Sequence, residues 1–426
     1  MPHYQHKTQR KISSVVLNMY LSKTSREIRS QYFLFFLLFL VWPFGAFLFA
    51  LYQYNERVSK IIFILFTGLF GYSLVAESSG LDLYRVMQLL PEASKLGFGE
   101  YFNNRGARES VDIYRDTVTF VVSRFTSNPK WLMCVLGVVA GIVYTKVLSL
   151  FLVEHSGKNV YTYLLVFSFS CIIGIDQLSG VRFSLAAYTF FLGAINVIMH
   201  SDKRYLIVAG ASIFIHFSFL SVFLLLVVFL RLKNYPKWIY VILVLSLILP
   251  DLLHNYIIQY SAFLGGGIQA RAELYNTLEG MDLNDTSWYV RYRIIVMIVF
   301  CYLALFITRI RKKTFHYSDK LNDLFFFSLT ILSFVNFTLD IPHFGFRFQF
   351  IFIIFVFFYL YKIYTENRDS ILISRLVMIS LPFSLLMVVY TLRSTLFITP
   401  LSFYYFTLPG ILFDQSVHSA WTTVFK

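Results

Sequence analysis

The sequence predicts an all-α, polytopic integral membrane protein, on three observations. Of the 426 residues, 57% are hydrophobic and only 14% are charged, with 48 Phe and 29 Tyr. Mean hydropathy is +0.65. The apolar residues fall in long charge-free runs rather than at isolated core positions. An average soluble domain has roughly 25% charged residues, and so few here cannot cover a water-facing surface. A soluble enzyme, a disordered chain and a fibrous repeat are excluded, and lipid becomes the main solvent of the outer face.

The runs cover 32–54, 61–76, 131–145, 159–175, 183–199, 205–230, 238–250, 294–308, 324–339, 348–361, 376–392 and 394–413. A spanning helix needs about 20 mostly apolar residues, which predicts about ten or eleven spans. The shorter runs borrow flanking Tyr, Trp, Lys and Arg at the interfaces. Together they make one membrane domain over 32–413, between a basic N-terminal tail (1–31) and a C-terminal tail (414–426). No secretory signal pattern is expected in the polar, basic first residues. The run 32–54 is basic on both flanks. It is either a hairpin broken at Trp42-Pro43-Phe44-Gly45 or a span with the N-terminus outside. The run 205–230 is also basic at both ends. It is either one long helix or two half-length legs meeting near His216, and such legs are tolerated only where they face protein or a water-filled cavity. Gly137 and Gly141 form a GxxxG pair that points weakly to close helix packing.

Thirty-seven Lys and Arg against 23 Asp and Glu give a net charge of +14. In a membrane protein that excess belongs to cytoplasmic loops, so no nucleic-acid partner is expected. The basic loop 309–320 is placed inside, and the segments 77–130 and 251–293 become outer loops. Within the first, 111–125 has the apolar spacing of an amphipathic helix lying on the outer interface. The second carries Gly265-Gly266-Gly267. Cys134, Cys171 and Cys301 are odd in number and far apart, which suggests neither a disulfide framework nor a metal site.

No P-loop, dinucleotide fingerprint, HExxH, Cys/His metal spacing or Gly-x-Ser-x-Gly is present. What remains is charge where charge is expensive. Arg182 opens a helix, with Asp176 at the end of the previous one. The two either close a helical hairpin as an ion pair, or Arg182 binds an anion at a helix N-terminus. His216, deep in an apolar run, is a satisfied core histidine, a general base or a phosphate donor. Asp82 and Arg85 follow an early span in Gly80-Leu81-Asp82-Leu83-Tyr84-Arg85, a polar loop when taken alone. Arg347 ends Asp340-Ile341-Pro342-His343-Phe344-Gly345-Phe346-Arg347, where a headgroup anchor is the plain alternative. One topology directs all of them to the same outward face. Such a gathering of arginines, histidines and carboxylates suits a diphosphate whose departure needs positive charge nearby.

The order of these elements resembles a family. Gly80-x-Asp82-x-Tyr84 follows an early span, and a long outer segment with an amphipathic helix comes next. Arg182-Phe183-Ser184-Leu185-Ala186 then starts a helix, and His216-Phe217-Ser218 follows. This is similar to the EpsG family of bacterial polysaccharide polymerases, relatives of the Wzy O-antigen polymerases. The resemblance implies a GT-C-like membrane glycosyltransferase, metal-independent and without a cofactor, facing the periplasm or exterior from the bacterial inner membrane. It implies undecaprenyl-diphosphate-linked glycans as donor and acceptor, joined into an exopolysaccharide, capsule or O-antigen chain, and a chain-length regulator as a further candidate partner. It carries catalytic roles onto Asp82 and His216 and substrate binding onto Arg182. Arg85, Asp176 and Arg347 join the substrate-binding set on the physical reading alone. The competing classes are a flippase or transporter of the same lipid-linked oligosaccharide, and a ligase-type transferase that shares the donor. A transporter commonly shows internal repeats, and no convincing repeat relates the two halves.

Overall fold

The computed structural model describes residues 25–53, 57–75, 82–103, 112–152, 160–180, 182–249, 288–339, 344–414, 416 and 418–425. Among them every regular element is a helix. Helix α1 (Ser25–Val41) and α2 (Pro43–Tyr52) divide the first apolar run. Pro43 lacks an N–H and serves as the opening residue of α2. The chain folds back there, because the rings of Phe35 and Phe49 stand only 5.0 Å apart. The Trp42 indole N–H fixes the bend by donating to the Tyr404 carbonyl at 2.7 Å. The first run is thus a hairpin, not a span.

Helix α3 (Arg57–Tyr72) lies along α6 (Pro129–Leu152), with α4 (Asp82–Lys95) and α5 (Ile113–Ser123) between them in sequence. Gly137 and Gly141 are the residues that let α6 approach: a methyl group at either would run into Thr67 of α3. Helix α7 (Val160–Ile172) continues into a 3-10 segment, Ile175–Gly180. Helix α8 (Phe183–His200) follows and ends at Ser201, whose φ of 57° is left-handed.

The run 205–230 is two legs. Helix α9 (Tyr205–Ile215) stops at His216, whose backbone is extended (φ −148°, ψ 114°), and α10 (Phe219–Leu232) starts three residues later. The legs fold against each other, since the α-carbon face of Gly210 meets the Phe223 ring. Gly193 of α8 touches the Ala209 backbone, so α9 runs back along α8 and both legs leave the same end of the bundle. Next come α11 (Pro236–Ile248), α12 (Trp288–Ile310), α13 (Asp319–Thr338), α14 (Phe344–Glu366) and α15 (Ile371–Ile398). Ser318 and Ser370 cap α13 and α15, their hydroxyls accepting from Leu321 N–H and Ile373 N–H.

Seven of the described helices are long and apolar enough to cross a membrane: α6, α7 with its 3-10 extension, α8, α12, α13, α14 and α15. The protein is an all-α, multi-pass membrane protein. Helix α14 is its axis. From Ile351 to Tyr361 no side chain is more than 1% exposed, as expected of a helix that is apolar all round. On α12 the large side chains Ile295, Val299, Leu303, Phe306 and Ile310 form an exposed stripe at helical spacing. In water that stripe would be a liability; in a bilayer it is the lipid-facing surface. A second, smaller core joins α1 to α4 with the start of α6 and the short C-terminal helices. Cys134, Cys171 and Cys301 are all free.

Candidate active site at the tip of a broken helix

The centre of the site is a carboxylate that the sequence reading did not single out. Asp112 precedes α5 and is completely buried. Its Oδ2 holds Arg182 Nη1 at 2.5 Å, and its Oδ1 accepts the Phe217 backbone N–H at 2.9 Å. One side chain therefore ties α5 to the start of α8 and to the tip of the α9–α10 hairpin. The ion partner of Arg182 here is Asp112, where the sequence offered Asp176.

The hairpin tip exists because the chain leaves helical geometry at His216, and a broken helix at this depth must satisfy its freed backbone groups within the protein. Asp112 accepts one of them. His216 is 7% exposed, with Phe183 packed edge-on at 5.8 Å and Phe219 at 6.2 Å. Its Nδ1 faces the Ser218 hydroxyl at 2.8 Å and the Ser218 backbone N–H at 3.4 Å. A backbone amide can only donate. Nδ1 is therefore the acceptor in this arrangement, and the neutral ring carries its proton on Nε2.

Helix α5 is amphipathic. Its buried positions include Asp116, Thr119 and Ser123, which continue the spacing set by Asp112, whereas Ile113 and Val121 are exposed. A polar stripe turned inward and an apolar one turned outward fit a helix with a polar site on one side and lipid on the other. The Tyr114 and Thr119 hydroxyls are buried with no hydrogen-bond partner among the described residues. Burial pushes the Tyr114 hydroxyl well above its ordinary range, so it remains a neutral donor. Asp116 is held by Arg115 at 3.0 Å. Arg124 turns away from the site and closes the end of α4, donating to the carbonyls of Ala93 and Leu96.

The other candidates are placed less uniformly. Arg347 lies in the first turn of α14, half-buried. Its neighbour Phe348 packs on Phe183 at 5.9 Å and on Phe219 at 5.8 Å, so this turn adjoins the Arg182–His216 site. Asp176 is 3% exposed and sits in the 3-10 segment, where its Oδ2 accepts from Gln177 at 3.0 Å. Its cationic neighbour is Arg293 of α12. Arg85 is exposed on α4. Asp82 opens α4, but its side chain lies outside the described residues, as do Asp340, His343, the rest of Gly80–Leu81 and the 258–287 segment.

The sequence matches the EpsG family over residues 100–405, well over half of the chain. This chain belongs to the EpsG family. Membership makes it a polysaccharide-polymerase-type membrane protein, glycosyltransferase-like at the level of the family. No curated protein and no solved structure matches it. The EpsG match contains Asp112, Asp176, Arg182, His216 and Arg347, and begins after Asp82 and Arg85. It also takes in the second half of the chain, which carries none of the motifs behind the resemblance. The signal for Asp112 was present in the recurrence of Asp112, Asp116, Thr119 and Ser123 at helical spacing. It was passed over because the segment was read for its apolar spacing alone, as a helix at the interface.

Proposed function

We propose that this EpsG-family protein polymerises undecaprenyl-diphosphate-linked oligosaccharide repeat units into a cell-surface polysaccharide at the outer face of the bacterial inner membrane. The observation that carries the proposal is the Asp112 bridge. It anchors a guanidinium at the start of a membrane helix, next to a histidine at the tip of a broken one.

The reaction joins two lipid-linked glycans. A hydroxyl oxygen at the nonreducing end of the incoming repeat unit attacks the anomeric carbon of the growing chain. As the new C–O bond forms, the bond from that carbon to the diphosphate oxygen breaks, and its electron pair stays on the leaving diphosphate. The hydroxyl proton passes to a base. Negative charge grows on the leaving group, and positive charge held there in advance lowers the barrier. Arg182 supplies that charge, with the N-terminus of α8 beside it. Asp112 aims Arg182 and keeps both of its own oxygens engaged, which suits it to positioning rather than proton transfer. His216, protonated on Nε2, donates to a diphosphate oxygen. Asp82 then takes the hydroxyl proton. Arg347 and the inward hydroxyls of Tyr114 and Thr119 offer further contacts to substrate.

The test is incubation of the purified protein with a defined undecaprenyl-diphosphate repeat unit. A ladder of longer glycans on the lipid supports the proposal. Transfer to a different lipid, or movement across a liposome with no bond formed, refutes it.

A further inference from the structure

A second charged group lies away from Arg182, beside a cavity that faces lipid. Arg293 of α12 is 7% exposed, and its guanidinium stacks on the Tyr390 ring of α15. Its Nε and Nη1 are buried with no hydrogen-bond acceptor among the described residues. Buried donors of a permanent cation are seldom left so, and an anionic acceptor would complete them. The charge of Asp176 acts on Arg293 from one side.

Next to this pair is a cavity of about 410 Å³ between α3, α6, α7, α8 and α15. Its walls are mostly apolar and aromatic, with Phe63, Tyr144, Phe167 and Tyr188 among them. Gly174 and Thr391 form its polar end. Gly174 has no room for a methyl group there, because Thr391 Oγ1 and Asp176 Oδ1 already occupy that space. The Asp176 carboxylate thus meets the cavity end at Gly174, and Tyr390, the ring that carries Arg293, precedes Thr391 on α15. Leu51, Phe167 and Leu392 also line the cavity while being at least 40% exposed, so it opens sideways to the hydrocarbon.

From this geometry we infer that the cavity seats the isoprenoid chain of a lipid-linked substrate, and that Arg293 takes its phosphate, at a site separate from Arg182. A side opening at membrane depth admits a chain from the bilayer. The cavity volume lies near the lower end of the ~300–1,000 Å³ typical of ligand sites, room for the isoprene units next to the phosphate, with the rest of the chain left in the bilayer. The buried cation behind the polar end supplies the headgroup charge. Asp176 keeps Arg293 in place when the site is empty, and the bound phosphate shares the guanidinium with it. The inference rests on the proposed use of a polyprenyl carrier, but its test needs no polymerisation.

The probe is geranylgeranyl phosphate with a diazirine at the chain end, photolysed with the purified full-length protein. Label is expected on the helices that line the cavity, α6, α7 and α15 among them. Arg293→Gln should cut it at least tenfold, while Arg293→Lys keeps most of it. Leu392→Trp, a change on the lipid-facing side that blocks the mouth, should cut it as well and serves if Arg293→Gln does not fold. Excess undecaprenyl phosphate should compete and excess phosphatidylglycerol should not. Label elsewhere, label unchanged by Arg293→Gln and Leu392→Trp, or competition by phosphatidylglycerol overturns the inference. Correct labelling in a protein that makes no glycan ladder would sink the polymerase proposal and leave this site standing. A ladder with label elsewhere would do the reverse.

Discussion

Replacing Asp112 by Asn separates charge from shape at the centre of the site. The amide oxygen can still accept the Phe217 N–H, now held at 2.9 Å, but the amide NH2 then faces Arg182, a donor against a donor, and the 2.5 Å contact is lost. A hydrogen bond to a charged group contributes about 1.5–3 kcal/mol, and stability of that order should be lost. Screening reduces this little, because the Asp112 side chain is 0% exposed and that of Arg182 16%. The effect on rate should be larger. An arginine displaced by about 1 Å from its working position costs on the order of 10²-fold. Asp112→Ala goes further: it strands a partly buried cation, at about 3–5 kcal/mol, and orphans the Phe217 N–H. Ladder formation by purified protein measures the rate, and thermal unfolding in the same detergent measures stability. Because both residues act through one contact, Asp112→Ala combined with Arg182→Ala should be less destabilising than the sum of the two. Asp112→Asn protein that polymerises within about twofold of the unmodified rate would refute the positioning role.

Arg182→Lys keeps the charge but loses the planar fork; polymerisation should fall about 10²–10³-fold, or roughly 2.7–4 kcal/mol in the transition state, and a rate within tenfold would argue against a diphosphate contact. His216→Gln preserves an N–H donor and should retain part of the rate where His216→Ala does not, with Asp82→Asn more damaging than His216→Gln; loss of the acidic limb of the pH–rate profile in His216→Gln would instead make the histidine the base. Single cysteines at Ser110, Asn284 and Thr314 in a cysteine-free background should react with an impermeant reagent in intact cells at the first two positions alone, and labelling at Thr314 would invert the proposed orientation. Burial pushes the Asp414 carboxyl up, but hydrogen bonds from Ser402 and Ser416 and the charge of Lys130 outweigh it and hold it below the ordinary range. Its anchoring of the C-terminal segment should be complete above that range and fade as the pH falls through the lowered value; proteolysis of the segment should follow that curve in the unmodified protein and be insensitive to pH in Asp414→Asn.

The helical membrane architecture was legible because charge-free runs have one physical meaning in a chain with this composition. Breaks within runs were harder to read. Trp42-Pro43 announced itself through a missing N–H, whereas His216 carries no breaker residue. The Phe217 N–H that the break frees is taken by Asp112, 105 residues earlier, and pairing over that distance leaves no local trace. Arg182 and His216 were visible as polar groups in apolar surroundings, and the structure brings both to one place. Asp176 was visible for the same reason, yet it lies with Arg293, because the 3-10 segment turns it toward α12 and α15 and away from the start of α8. Asp112 was missed because its segment was read for the apolar face alone, while its partners Arg182 and Phe217 lie far along the chain.

The enclosure of α14 has a consequence for how the protein assembles. Its sequence is apolar enough to enter a bilayer unaided, so it needs no partner helix to leave the translocation machinery. In the finished protein it meets almost no lipid. Its last step is therefore an exchange of lipid tails for the side chains of its neighbours, with little water released. Dispersion and shape must drive that exchange, because lipid is as oily as the core. Trimming a ring such as Phe355 or Phe358 should then leave insertion intact and disturb the docking of helices already in the membrane, a defect that would surface as lateral misassembly and clearance by membrane proteases.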